Sequence, residues 1–191
     1  MNATDLSDLI RRRRAIFPKT YIVGKPIGRA IIEQILENAN WAPTHRLTEP
    51  WRFHVFHSEE SRQELSVYMS GFFQKNTAPE NFTEEKMLKA GENPLLAGAV
   101  IAIIMRRDPE ARVPEWEEIA SVAMAVQNMW LSCSAINLGC YWSTPKAALE
   151  ATEFLNLSEG ERCLGLFYMG WHEMPEIAGK RGPISEKVVW R

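Results

Sequence analysis

Cysteine is scarce in this chain, and the three present, Cys133, Cys140 and Cys163, form no Cys-x-x-Cys pair. An odd count in apolar surroundings argues against a disulfide framework and reads as buried small hydrophobes. His45, His54, His57 and His172 make no His-Glu-x-x-His pair, so a metal site is not expected. The sequence lacks a glycine-rich dinucleotide fingerprint, a Walker-type phosphate loop and a Gly-x-Ser-x-Gly elbow. Standard dinucleotide, nucleoside-triphosphate and serine-hydrolase folds are therefore not indicated. Long apolar runs are missing too, since Leu95 to Met105 stops at Arg106-Arg107, short of a bilayer span. The N-terminal segment has no apolar core of a secretion signal. The expectation is a soluble cytoplasmic protein without a membrane partner.

What is present is enough apolar material for one sizeable domain, 46% of 191 residues. The formal net charge is −2, so the run Arg11-Arg12-Arg13-Arg14 is a local feature of a slightly acidic chain. A general nucleic-acid binder would spread basic charge over a whole face, and no nucleic-acid partner is expected. Leu6, Leu9 and Ile10 precede the run at the spacing of a buried helix face. Charge this dense at a helix end repels itself unless something anionic offsets it, and guanidinium forks bind phosphate bidentately. Taken alone, the run reads first as a solvated basic patch or a juxtamembrane or nucleic-acid contact.

The coarse reading along the chain is α+β, with helices dominating around a few strands. Thr4 is expected to cap a helix to about Arg13, and Phe17 to Pro26 to be irregular. Ile31, Ile32, Ile35, Leu36 and Ala39 share a helical face that must end near Trp41, because Pro43 restricts Ala42. Trp51 to Phe56 reads as a strand, and Ser58 as the cap of a helix to about Met69. Gly71 to Asn93 is the least patterned segment. It is expected to be a polar, mobile insertion facing substrate, with Phe72, Phe73 and Phe82 either walling a site or packing the loop down, and Thr83 capping a short helix. Ala97 to Met105 suggests a strand covered on both faces. Pro114 to Leu138 reads as a long helix apolar nearly all round, hence buried in a core or against a partner chain. A strand over Gly139 to Ser143, a helix over Lys146 to Leu155 and a strand over Arg162 to Met169 follow. Val188, Val189 and Trp190 are too apolar for a free tail, at roughly 1.5–3 kcal/mol for each large side chain buried.

Four separated segments together resemble the FMN-dependent nitroreductases, in particular their short bacterial members, over nearly the whole chain. Ile10-Arg11-Arg12-Arg13-Arg14-Ala15 is similar to an apolar residue, two variable ones and Arg-Arg-Ser, which puts Arg13 and Arg14 on the paired arginines and Ala15 at the usual Ser. Ala42-Pro43-Thr44-His45, followed by Glu49-Pro50-Trp51-Arg52-Phe53, resembles an Ala-Pro-Ser turn followed by Gln-Pro-Trp and an aromatic strand residue. Here Thr44 keeps the hydroxyl and Glu49 replaces Gln. Gly139-Cys140-Tyr141-Trp142-Ser143-Thr144-Pro145 resembles the strand that runs beside the flavin ring. Lys180-Arg181-Gly182-Pro183-Ile184-Ser185-Glu186-Lys187-Val188-Val189 is similar to the basic tail of the family.

The resemblance implies a nitroreductase-like α+β fold over residues 1–191, a small mixed or antiparallel sheet surrounded by helices, in an intertwined homodimer. It implies FMN at the dimer interface, NAD(P)H as reductant, and a small electron-poor acceptor such as a nitroaromatic or quinone, reduced in ping-pong fashion. Arg13, Arg14 and Arg181 would anchor the phosphate and ribityl chain, with Ala15 supplying a backbone donor. Tyr141, Trp142, Ser143, Thr44 and His45 would border the ring, with His45 reaching a flavin held mainly by the other subunit and Trp41 near it at a helix end. By alternation at most one of the Tyr141 and Trp142 side chains faces the ring. His45 reads equally as a cap of the preceding turn, and Trp41 as packing. No catalytic side chain is required, since the chemistry belongs to the flavin. Ala15 and Glu49 depart from the pattern and leave a second reading, a non-catalytic binder of a phosphorylated ligand on the same scaffold.

Overall fold

Residues 3–191 are described by a computed structural model. Its centre is a four-stranded antiparallel sheet in the order β1-β2-β4-β3, with β1 at Trp51–Phe56, β2 at Ala99–Arg106, β3 at Leu138–Ser143 and β4 at Glu161–Trp171. β2 is buried along seven of its eight residues, as its continuous apolar run requires. Alternation divides the interior. Ile101, Ile103, Met105, Phe167 and Met169 meet α2 (Arg29–Asn40) and α5 (Glu115–Ala135) on one face. Val100, Ala102, Leu166 and Tyr168 meet α3 (Glu59–Asn76) and the segment around the short α6 (Lys146–Leu149) on the other.

Two of the three expected caps form as the sequence suggests. Ser58 Oγ accepts from Ser61 N–H at 3.1 Å, and Thr83 Oγ1 accepts from Lys86 N–H at 3.2 Å. Thr4 does not cap, because the first helix, α1 (Ala3–Arg12), already contains it.

The expected mobile insertion at 71–93 is instead mostly helical. α3 runs on to Asn76, a single 3-10 turn spans Pro79–Asn81, and α4 covers Glu84–Leu96. Pro94 is tolerated in its last turn. Gly91 lets α4 lie directly on α3, because a Cβ there would strike Ser66 and Ser70. Phe73 of α3 packs on Phe82 of the connection at 6.2 Å between ring centres, and Phe72 on Tyr68 one turn earlier at 6.3 Å, so these rings pack the segment down.

Two further boundaries move. α5 stops at Ala135, where Asn137 turns left-handed (φ 55°) and Leu138 enters β3. The expected helix from Lys146 shrinks to one turn followed by tight turns to Leu155. Among the described residues, no helix is long and apolar enough to cross a membrane.

Candidate functional site

β3 is an edge strand, and the segment after α1 closes part of its open side. Ile16 N–H donates to Cys140 O at 3.1 Å, and Tyr21 Oη donates to Ile16 O at 2.8 Å. Trp130 on α5 donates its indole N–H to Arg14 O at 3.0 Å. These three bonds hold Arg13, Arg14 and Ala15, all half-buried, where β3 meets the C-terminal end of α5.

Arg13 lies over the Trp130 ring, its guanidinium carbon 4.6 Å from the centroid. Burial lowers its pKa from the ordinary value, and the positive charges of Arg14 and Arg181 act in the same direction while Cys140 opposes them. Arg181 arrives from the far end of the chain on the exposed tail. Among the described residues no carboxylate forms an ion pair with Arg13, Arg14 or Arg181.

Arg14 is engaged differently from Arg13. Its Nε donates to Ile177 O at 3.0 Å and its Nη1 to the carbonyls of Arg11 and Arg13, each at 2.6 Å. A Cβ on Gly179 would run into this guanidinium. Arg14 therefore buckles the tail to the arginine segment.

On β3 the side chains separate as alternation demands. Tyr141 lies between Phe17, at 4.9 Å, and Tyr168, at 5.4 Å and nearly parallel. Trp142 faces the opposite core and donates its indole N–H to Leu164 O at 3.0 Å. Because Cys140 turns its carbonyl to the open edge, Trp142, two residues on, turns its backbone N–H and C=O the same way. Ser143 is half-buried at the strand end.

Trp41, Thr44 and His45 lie elsewhere. Trp41 ends α2, is 79% exposed, and donates its indole N–H to Glu37 at 2.9 Å. Thr44 Oγ1 accepts from Glu49 N–H at 3.2 Å and bonds Thr48 Oγ1 at 3.1 Å, closing a tight turn. His45 Nδ1 meets Glu117 Oε2 at 2.6 Å at the first turn of α5. Thirteen residues of one helix separate Glu117 from Trp130, about 20 Å at the α-helical rise. Within one chain His45 thus lies at the start of α5 and Arg13 near its other end, while Trp41 follows Asn38, which Asn128 and Ser132 of α5 hold.

The profile of the Nitroreductase family matches residues 10–171 of this sequence. The chain belongs to that family. "Putative NAD(P)H nitroreductase YfhC" of Bacillus subtilis is 29% identical over 187 residues, 96% of this chain and 93% of that protein. The fold agrees with the crystal structure of a nitroreductase-like family protein from Bacillus cereus at a TM-score of 0.79, with 26% identity over 100% of this chain and 98% of that one. It also agrees with the Desulfovibrio desulfuricans "putative nitroreductase in complex with fmn", TM-score 0.74 and 22% identity over 100% and 98% of the chains.

Within this nitroreductase-family chain, sequence reasoning missed Trp130, Glu117 and Gly179. The two α5 residues read as parts of a long, largely apolar helix, and the Gly179 contact spans 165 positions, so no local pattern marks them.

Proposed function

We propose that the chain is an FMN-dependent oxidoreductase that uses NAD(P)H to reduce small electron-poor acceptors, nitroaromatics or quinones, as a homodimer. The observation that carries this reading is the half-buried Arg13 guanidinium over Trp130, with the positive charges of Arg14 and Arg181 acting on it and no carboxylate ion-paired to any of the three among the described residues. Uncompensated cations of this kind fit a phosphate dianion, whose oxygens accept bidentate guanidinium bonds.

The neighbouring groups suit the remainder of FMN. The open backbone edge at Trp142 offers a donor and an acceptor to a planar heterocycle, and Tyr141 supplies an aromatic border. When bound, FMN supplies two-electron hydride chemistry, taking hydride from a nicotinamide and passing it to an acceptor. Arg13 and Arg181 would hold the phosphate end, and the open edge of β3 would meet the ring.

His45, held by Glu117, stands about 20 Å from Trp130 along α5, so in this reading a second chain supplies it to the ring. Two chains with their α5 helices antiparallel bring the start of one helix beside the end of the other. This pairing makes each site composite, and a two-fold axis makes two of them. Exposed apolar side chains give such a partner something to cover, including Val189 at 83% and Trp190 at 92%.

The test is anaerobic turnover of the FMN-loaded protein with NADH or NADPH and a nitroaromatic or quinone. Parallel double-reciprocal lines are expected, the pattern of substrates that bind and leave in turn. No oxidation of either nicotinamide by the flavin-loaded protein would refute the reading.

A further inference from the structure

Glu117 is the third residue of α5, and two separate constraints fix the pair it makes with His45. On the helix side, neighbouring Glu118 is fully buried. It bonds the Arg107 guanidinium through one oxygen and accepts Asp108 N–H at 2.8 Å through the other. Arg107 also donates to Val113 O at 2.6 Å, so the helix start is bolted to the end of β2. On the turn side, Arg46, Leu47 and Glu49 hold left-handed φ angles of 53°, 52° and 41°, none of them glycine. Strained backbone of this kind persists only where surroundings over-determine it, and it concentrates at functional positions.

The stability of the pair does not explain this arrangement. The His45 side chain is 59% exposed, and an ion pair so close to water adds little. The chain around it exposes apolar surface instead, with Trp41 and Leu47 each 79% and Trp116 65% exposed. His45 Nε2 makes no hydrogen bond to any described residue and points away from its carboxylate partner by ring geometry.

We infer that Glu117 is a positioning residue that holds the Nδ1–H of His45, so that the Nε2–H of the imidazolium is the proton given to the acceptor's oxygen. This rests on the oxidoreductase reading above. With FMN bound, the reduced flavin would supply hydride and His45 Nε2 the proton, so that a quinone would gain two electrons and two hydrogens and leave as the hydroquinone. The imidazole left neutral would regain its proton from water. Glu117 touches neither reactant and acts only through the imidazole.

The experiment is anaerobic stopped-flow reoxidation of FMN-loaded, reduced protein by benzoquinone and, in parallel, by ferricyanide, which takes electrons without a proton. In Glu117→Gln, reoxidation by benzoquinone falls about tenfold and that by ferricyanide stays within about twofold, while Glu117→Asp restores part of the quinone rate. His45→Gln loses about a hundredfold on quinone alone, the low end of general-acid contributions. Equal loss with both oxidants in all variants shows a purely structural pair and overturns the inference, as does no loss with either. In both cases the oxidoreductase reading stands. A wild-type protein that retains no FMN overturns that reading, and this inference with it.

Discussion

Arg14 donates its Nε to the carbonyl of Ile177 at 3.0 Å, joining the segment after the first helix to the C-terminal tail. Two paired arginines in a motif thus divide their work. Arg13 keeps its guanidinium over Trp130, where an anion can reach it, and Arg14 fixes the tail that carries Arg181.

Gly179→Ala tests this buckle without touching a charge. The added methyl collides with the Arg14 guanidinium, so the tail must lift and Arg181 must leave the phosphate position. Losing one charge-assisted hydrogen bond costs about 1.5 kcal/mol, roughly a tenfold rise in the Kd for FMN. Flavin fluorescence quenching measures it, and an unchanged Kd would mean the tail does not hold the phosphate.

Arg13→Ala removes the more enclosed of the two phosphate cations. The expected cost to FMN affinity is about 1.5–3 kcal/mol, or roughly 10- to 150-fold in Kd. Retention equal to wild type after gel filtration would remove Arg13 from the phosphate site.

The strands were the most legible part of the fold. Trp51–Phe56 falls where the sequence puts it, since β-branched and aromatic residues bounded by Pro50 and Ser58 leave little choice. The 71–93 region was misjudged because it shows little apolar periodicity when read locally. Gly91 is in fact the contact at which two helices touch, a property of the pair that neither segment carries alone. The candidate site shows the same division. Arg13 and Arg181 announce themselves by charge and motif, whereas Trp130 and Glu117 gain meaning only once folding lays α5 beside the arginine segment and the His45 turn.

Glu118→Ala tests the anchoring of α5. The substitution leaves Asp108 N–H without its acceptor and Arg107 without its carboxylate in a largely enclosed place. A loss of about 2–4 kcal/mol is expected, readable as a Tm lower by several degrees. A melt within about a degree of wild type would show that the network does not fix the helix start.

Acid stability should follow Asp108. Its carboxyl bonds the Arg112 side chain at 2.8 and 3.0 Å and the Arg112 backbone N–H at 3.0 Å, which holds its pKa down from 3.8 to about 2. The folded carboxyl is thus more acidic than the unfolded one, so its contribution is fully present above about pH 3.8 and is lost as pH falls through about 2. The stability gap between wild type and Asp108→Asn should be widest above pH 4 and shrink towards pH 2 in urea titrations. A gap independent of pH would contradict it.

The most direct measurement of the central claim is the visible absorption spectrum of the purified protein after incubation with FMN and gel filtration. Retained flavin bands at about one FMN per chain, with the protein eluting as a dimer, are the result expected of a composite site closed by Arg13 and Arg181. A colourless protein that no added FMN restores would contradict it, leaving the arginine convergence to some other phosphorylated ligand.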